Sequence, residues 1–433
     1  MKSASRSRRP GRWLALGLLL ALAWLVFRLF EPVFTWTLGW HDLPGDEPPA
    51  VGTSAPHWVG VAGRADALLR EARGRLQAPA LSAAVMVDGQ QAWAGAVGLA
   101  DAGTGKPVGL DARFRIGSSS KAVTAMALAV LMDEGRIDID RSVRHYLPAL
   151  PDHYQAVTPR LAISHLAGVP DYGLCLCFPV WEHRNRRHFE SVTAALSVFQ
   201  DRPLLAAPGS AFRYSSYGSN LAGAAIESAA GMPFNAFVEK AVFRPLAMAD
   251  SAADVAGAAD PRTVAFHEVE DGRWKYADPV DNSIRYPAGG MLSTPSDMVR
   301  LGQAFLADGL VGAGTRAQVL TPQTLADGSG SPQGYALGIR VSAEKSLFDG
   351  ALVTRLWSHH GTAVGSTSYF AIYPDLGLVV SVMMNKGQTS LEHLAPEADR
   401  LVELFLDQAR EALAGVRPDQ PSSGRRGSQA SSK

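Results

Sequence analysis

The hydrophobic pattern divides the chain into an apolar head, a long mixed body and a polar tail. From Trp13 to Phe27 the run is almost unbroken, and Arg28 interrupts it before Leu29 and Phe30. The stretch is continuous rather than striped, so it does not read as an amphipathic surface helix. It is short for a membrane span, which takes roughly 20 apolar residues. Arg28 can snorkel to the interface, however, and Phe30, Phe34, Trp36 and Trp40 supply an aromatic belt. Residues 41–60 are rich in Pro and Gly and read as a linker leading away from that head. Residues 64–77 carry Ala65, Leu68, Ala72 and Leu76 on one helical face. Leu81–Val87 and Ala92–Val97 flank Asp88-Gly89, the signal of a tight antiparallel hairpin.

Val123, Met126, Ala127, Val130 and Leu131 form one apolar stripe and predict a helix from about Ser118 to Glu134, stopped by Gly135. Residues 140–290 alternate short helical patterns with Pro/Gly-rich loops. Thr294-Pro295-Ser296-Asp297 is a capping signal for a helix to about Leu306. Three strand-like runs follow, Tyr335–Val341, Ser366–Tyr373 and Leu378–Met384, the last two joined through Asp375-Leu376-Gly377. Residues 394–414 are helical, with Leu401, Phe405 and Ala409 on one face, and 416–433 are polar and predicted disordered. Strands at the front, more at the back and helices between them make one mixed α+β unit. Its sheet must close using both ends of the chain.

Composition narrows the function. With 433 residues, 47% hydrophobic and 19% charged, the chain is long and apolar enough for a large core, so a globular body is expected. The formal net charge is zero, which gives no basis for a nucleic-acid partner. The first thirty residues lack acids, and Lys2, Arg6, Arg8, Arg9 and Arg12 precede the apolar run. No small-residue cleavage site follows, so residues 1–40 read as an uncleaved single-pass anchor. The basic flank then stays in the cytoplasm of a bacterium, the anchor sits in its inner membrane and the body lies in the periplasm. A mitochondrial transit segment also fits Ser and Arg without acid, but the continuous apolar run favours the anchor. Cys175 and Cys177 are the only cysteines. They can form a tight disulfide, stay reduced or make half of a metal site; without a second pair, idle thiols are the simplest reading. His183, Arg184, Arg186, Arg187 and His188 form a basic cluster in a 173–195 insert, read as a solvated loop rather than a headgroup contact.

One element carries chemistry. Ser118-Ser119-Ser120-Lys121 is a Ser-x-x-Lys motif, as is Ser342 to Lys345, so the motif alone means little. Only Ser118 opens a long helix. There the hydroxyl and the amine share a face, the helix N-terminus favours a developing alkoxide, and burial favours a neutral amine. The plainer reading, an N-cap serine with a surface lysine, competes until two further stretches are counted. Tyr214-Ser215-Ser216-Tyr217-Gly218 precedes an apolar helix, and His359-His360-Gly361-Thr362-Ala363-Val364-Gly365 leads into a strand. Side chains alternate along a strand, so His359 and His360 do not read as a metal pair.

These elements, in this order, resemble the serine β-lactamase and DD-peptidase superfamily, in particular its class C and esterase-like branch. Within it they look most similar to mitochondrial β-lactamase-like serine proteases and their bacterial relatives. Leu131–Asp138, Ser164–Tyr172 and Ala288–Thr294 resemble the family too, and the likeness runs from about Leu81 to Asn385. It implies a β-lactamase/transpeptidase-like fold with a central antiparallel sheet flanked by helices. A mainly helical subdomain over 136–288 is inserted in a hydrolase domain over 61–415. It implies Ser118 as nucleophile, Lys121 as base and Tyr214 as leaving-group acid, with no cofactor and no metal. The Ser118 and Thr362 backbone N–H groups would form the oxyanion hole, and Ser216, His359 and Gly361 would face the substrate. Ser216 would contact Lys121 or a substrate amide, and His359 would line the site opposite Tyr214. His165 falls in one of the family-like stretches and is expected to be a hydrogen-bonded structural histidine. Where many relatives have Asn and Lys, Ser216 and His359 stand, which removes an amide-reading group and a fixed positive charge. An ester or peptide then suits the site at least as well as a β-lactam. The rival expectations are a peptidoglycan DD-carboxypeptidase and a catalytically silent, membrane-tethered scaffold.

Overall fold

The computed structural model describes residues 10–45, 48–175, 177–387 and 393–415. Residues 1–9 of the head and the 416–433 tail lie outside the described residues. The strands are β1 (His41–Asp42), β2 (Val51–Ser54), β3 (Ala80–Val87), β4 (Gln90–Asp101), β5 (Lys106–Pro107), β6 (Phe114–Arg115) and β7 (Ala252–Ala253). They continue as β8 (His267–Glu270), β9 (Arg273–Tyr276), β10 (Met291–Ser293), β11 (Arg340–Leu347), β12 (Leu352–Ala363), β13 (Ser366–Tyr373) and β14 (Leu378–Met384).

The main sheet runs β11-β12-β13-β14-β3-β4-β2, with β5 beside β4, and its neighbours are antiparallel. Front and back of the chain meet where β14 pairs with β3, from Leu378 opposite Val87 to Met384 opposite Leu81. Next to that seam the Ala80 N–H donates to Asn385 Oδ1 at 2.7 Å, across 305 residues of sequence. Asn385 Nδ2 donates to the carbonyls of Leu99, Ala100 and Ala265, so one buried amide ties three segments to the sheet. Both sheet faces are covered, which is why its central strands read as apolar runs. Phe370, Ile372, Val379 and Met383 belong to the core shared with helices Ser120–Asp133 and Pro295–Leu306. Tyr369, Ala371, Tyr373, Val380 and Val382 belong to the opposite core, with helices Val59–Leu76 and Ala395–Gly415.

The local signals act as chemistry dictates. Asp88 (φ 47°) and Gly89 (φ 79°) turn the β3–β4 hairpin with two positive φ values. Thr294 Oγ1 accepts from the Asp297 N–H at 3.1 Å and starts helix Pro295–Leu306. Four readings change. The 41–60 linker contains β1, paired with β9, and β2, paired with β4 at the edge of the main sheet. A Pro/Gly-rich composition suits such edges as well as it suits a linker. Tyr335–Ile339 is not strand; Tyr335, Ala336, Leu337 and Ile339 are fully buried, and an apolar run here reports burial rather than extension. The His359-His360-Gly361 stretch lies inside β12 rather than ahead of a strand. Cys175 and Cys177 are disulfide-bonded to each other rather than idle thiols.

The 136–288 stretch carries short helices and helix Ser216–Ala230, with β7, β8 and β9 in its last third. In the basic cluster Arg184 pairs with Asp278, Arg186 with Glu31 and His188 with Asp281, while His183, Arg187 and His188 are exposed. At the N-terminus, helix Pro10–Phe34 includes a 23-residue stretch, Arg12–Phe34, long and apolar enough to cross a membrane, whose most apolar window is wholly exposed.

Candidate active site

Gly117, at φ +49°, turns the chain out of β6 into a 3-10 turn over Gly117–Ser119, and the α-helix proper begins at Ser120. Ser118 is half-buried at this turn, and Lys121 is fully buried one turn further on. Lys121 Nζ donates to Ser118 Oγ at 3.2 Å and to the Ala288 carbonyl at 2.8 Å. It lies 5.0 Å from the centre of the Tyr214 ring. Among the described residues no carboxylate forms an ion pair with it, so a buried amine is held by neutral groups and an aromatic face.

Tyr214 stands just before helix Ser216–Ala230, whose N-cap is Ser215. Ser215 Oγ accepts from the Gly218 N–H at 2.9 Å and donates to the Pro170 carbonyl at 2.8 Å. The Ser215 N–H donates to His165 Nδ1 at 3.2 Å, and the His165 ring rests 4.2 Å from that of Tyr214. His165 is therefore hydrogen-bonded, as expected, but it is also the platform under Tyr214. Among the described residues Ser216 makes no hydrogen bond to Lys121; its N–H donates to Asp171 Oδ1 at 3.0 Å. That bond pins the start of the helix to the 171–172 loop.

The third side of the site is β12, packed backbone to backbone on the nucleophile turn. A Cβ on Gly361 would lie 1.8 Å from the Ile116 carbonyl, and one on Gly117 would lie 2.8 Å from the Thr362 nitrogen. Only glycines permit that approach. Ser368 Oγ, opposite Gly361, donates to the Ile116 carbonyl at 2.8 Å and lies 2.9 Å from Ser119 Oγ. Arg115 steadies the base of the turn: Nε donates to Asp254 at 2.7 Å, Nη1 to the Val364 carbonyl at 2.9 Å, and its guanidinium stacks on Phe266.

His359 is on the same side as Lys121 but is fully buried and spoken for. Its Nδ1–H donates to the His360 carbonyl at 2.6 Å, and Nε2 accepts from the Tyr335 hydroxyl at 2.8 Å. Tyr335 stands between the two expected site walls, its ring 6.4 Å from Tyr214 and 5.9 Å from His359. Burial, then the charges of Arg340 and Lys121, holds the His359 imidazole well below its usual pKa. Burial, then Lys121 and Arg340, does the same to His165. Both rings are neutral at pH 7, so neither supplies the positive charge that a Lys would. His360 faces the other way and packs on Tyr369 at 4.6 Å. Among the described residues no group of three His, Cys, Asp or Glu side chains is placed to hold a metal.

Sequence reasoning missed Tyr335, the Ala288 carbonyl and the Ser119–Ser368 pair. Tyr335 was hidden in an apolar run, and a carbonyl leaves no mark in a sequence.

Comparison with known proteins places this geometry in context. The family profile described as Beta-lactamase matches residues 65–404. The human serine beta-lactamase-like protein LACTB, mitochondrial, is 26% identical over 422 residues, covering 76% of this chain and 77% of its own. Penicillin-binding protein 4* of Bacillus subtilis is 24% identical, covering 65% and 62% respectively. Among solved structures, a penicillin-binding protein from Bacillus halodurans superposes with a TM-score of 0.62 at 24% identity, over 78% of this chain and 98% of that one. A D-amino acid amidase from Ochrobactrum anthropi superposes with a TM-score of 0.65 at 21% identity, over 82% and 99%. The α+β fold is that of the penicillin-binding proteins, and the chain belongs to the Beta-lactamase family of serine hydrolases.

Proposed function

We propose that the protein is a membrane-tethered serine hydrolase that cleaves an ester or peptide-like amide through an acyl-enzyme on Ser118. Ser118 Oγ attacks the carbonyl carbon while Lys121 takes its proton. The oxyanion faces the backbone N–H groups of Ser118 and Thr362. Tyr214 protonates the leaving group, and water then releases the acyl group from Ser118 along the same proton path. The observation that carries this reading is a buried Lys121 amine, without an ion-pair partner among the described residues, 3.2 Å from Ser118 Oγ and beside the Tyr214 ring.

Relatives described as Esterase EstB and as the D-alanyl-D-alanine-carboxypeptidase/endopeptidase AmpH support ester and peptide substrates alike. A neutral, buried His359 disfavours substrates that depend on a cationic side chain to seat a carboxylate, the β-lactams among them. Helix Pro10–Phe34 is read as a single-pass anchor in a bacterial inner membrane, with the catalytic body on the periplasmic side.

A fluorophosphonate probe should label the wild type and leave Ser118→Ala unlabelled; labelling of the variant would refute the nucleophile. A panel of nitrophenyl esters, peptide amides and a β-lactam then ranks the substrate classes, with the β-lactam expected last.

A further inference from the structure

Residues 173–175 and 177–182 make a short hairpin that packs against the N-terminal helix as well as against the body of the protein. Leu174 bridges to Trp181, and the Cys175 N–H donates to the Val180 carbonyl at 2.9 Å. The returning strand follows the helix backwards. Trp181 packs edge-on against Phe30 at 5.9 Å, the Val180 N–H donates to the Leu29 carbonyl at 2.9 Å, and Phe178 lies 6.3 Å from Trp24. From Phe30 to Trp24 is about 9 Å along a helix axis, so the hairpin reaches about that far toward the helix N-terminus.

Charges mark where the apolar part of the helix ends. Glu31 accepts from Arg28 and from Arg186 of the same insert. Arg28 also stands 5.9 Å over the Phe178 ring. Phe178 is thus below the ion-paired cluster, on the side where the helix is bare and apolar. Its exposure is 40%, and Leu174 on the other arm is 69% exposed. For a water-facing loop this is a poor arrangement; for the boundary between headgroups and acyl chains it is a good one. Depths of roughly 5–10 Å are ordinary for apolar side chains at such a boundary, with a cation over an aromatic ring at its upper edge.

We propose that the 173–182 hairpin is a second membrane contact, which seats Leu174 and Phe178 in the acyl-chain boundary of the bilayer that the N-terminal helix crosses. The inference rests on the reading of that helix as a span. The root of the hairpin reaches the active site directly. Glu182 accepts from the Gly173 N–H and the Tyr217 hydroxyl, and Asp171 accepts from the Ser216 N–H beside Tyr214. The hairpin therefore fixes the cleft wall at Tyr172 and Ser216 relative to the membrane plane, and a substrate held in the bilayer meets the same wall in every molecule.

The test uses the full chain in phosphatidylcholine liposomes, with p-benzoylphenylalanine incorporated in place of Leu19, Phe178 or Val353. Leu19 reports the span, and Val353 is an exposed apolar side chain of β12. On irradiation, the probes at positions 19 and 178 should form lipid adducts to a similar extent, and the probe at 353 none. Adducts at 19 but not at 178 overturn the hairpin contact and leave the span intact. Adducts at 178 but not at 19 remove the span, and with it the proposal that rests on it. Protein–protein adducts at 178 in place of lipid adducts overturn the proposal in favour of a second copy of the chain.

Discussion

Lys121 is solvated by a hydroxyl, a carbonyl and a ring face, so its removal separates catalysis from stability. Lys121→Met keeps the apolar stem and removes a buried polar group, so the fold is expected to hold. Ester turnover should drop by about 10²- to 10⁴-fold, the usual worth of a positioned base, while the melting temperature holds. A parallel loss of both would assign Lys121 to structure. Tyr335→Phe tests the opposite kind of residue. It strips His359 Nε2 of its only described donor inside a fully buried site, at a cost of about 1–3 kcal/mol in urea unfolding. Ser118 and Lys121 were legible from a spacing that encodes one helical turn, taken together with the family resemblance, and Tyr214 through that resemblance. Tyr335 was not, and His165 was legible as a hydrogen-bonded histidine but not in its contact with Tyr214, because the bonds to His359 and Ser215 span 24 and 50 residues and no local pattern announces them.

At the scale of elements, the site depends on β12 lying flush against the turn that carries Ser118. Gly361→Ala would force Cβ into the Ile116 carbonyl, 1.8 Å away, and into Ser368 Oγ, 2.5 Å away. The expected result is a loss of about 1–3 kcal/mol or more in unfolding together with loss of probe labelling at Ser118, since strand and nucleophile turn must part. Gly63→Ala is the contrasting case. It lies inside helix Val59–Leu76 with nothing within 4 Å of the new methyl, so it should stabilise by about 0.5–1 kcal/mol without touching activity. The same elements explain what could be read in advance. β3, β4, β13 and β14 were foreseen because central, doubly covered strands are continuous apolar runs bounded by turn residues. β11 and β12 lie at the sheet's outer end, where exposed and buried positions mix, as in the β11 pattern from Arg340 to Leu347. There burial gave no clean period to read. Tyr335–Ile339 erred in the other direction, apolar because it is buried and not because it is extended.

For the molecule as a whole, buried neutral histidines set the response to acid. His267, whose Nε2 accepts from the Ala102 N–H and whose Nδ1–H donates to the Asn385 carbonyl, has its pKa pushed down to about 4 chiefly by burial. An unfolded chain takes up that proton near pH 6.5. The unfolded state therefore binds more protons between those values, and stability is complete above about 6.5 and falls as pH drops towards 4. From pH 6.5 to 5 this residue alone should cost about 2 kcal/mol. Urea midpoints at pH 7 and 5 give the slope, and His267→Gln, which can keep a donor and an acceptor, should flatten it. The seam between β3 and β14 has a different bearing, on biogenesis. Since Ala80 and Asn385 are partners 305 residues apart, the first hairpin must wait for almost the entire polypeptide before its neighbour is made. At ribosomal speed that delay is on the order of tens of seconds, during which an open strand edge is exposed to other chains. A ribosome that stops short of β14 thus releases an aggregation-prone fragment instead of a smaller enzyme, and holdases in the cell will find this chain before any substrate does.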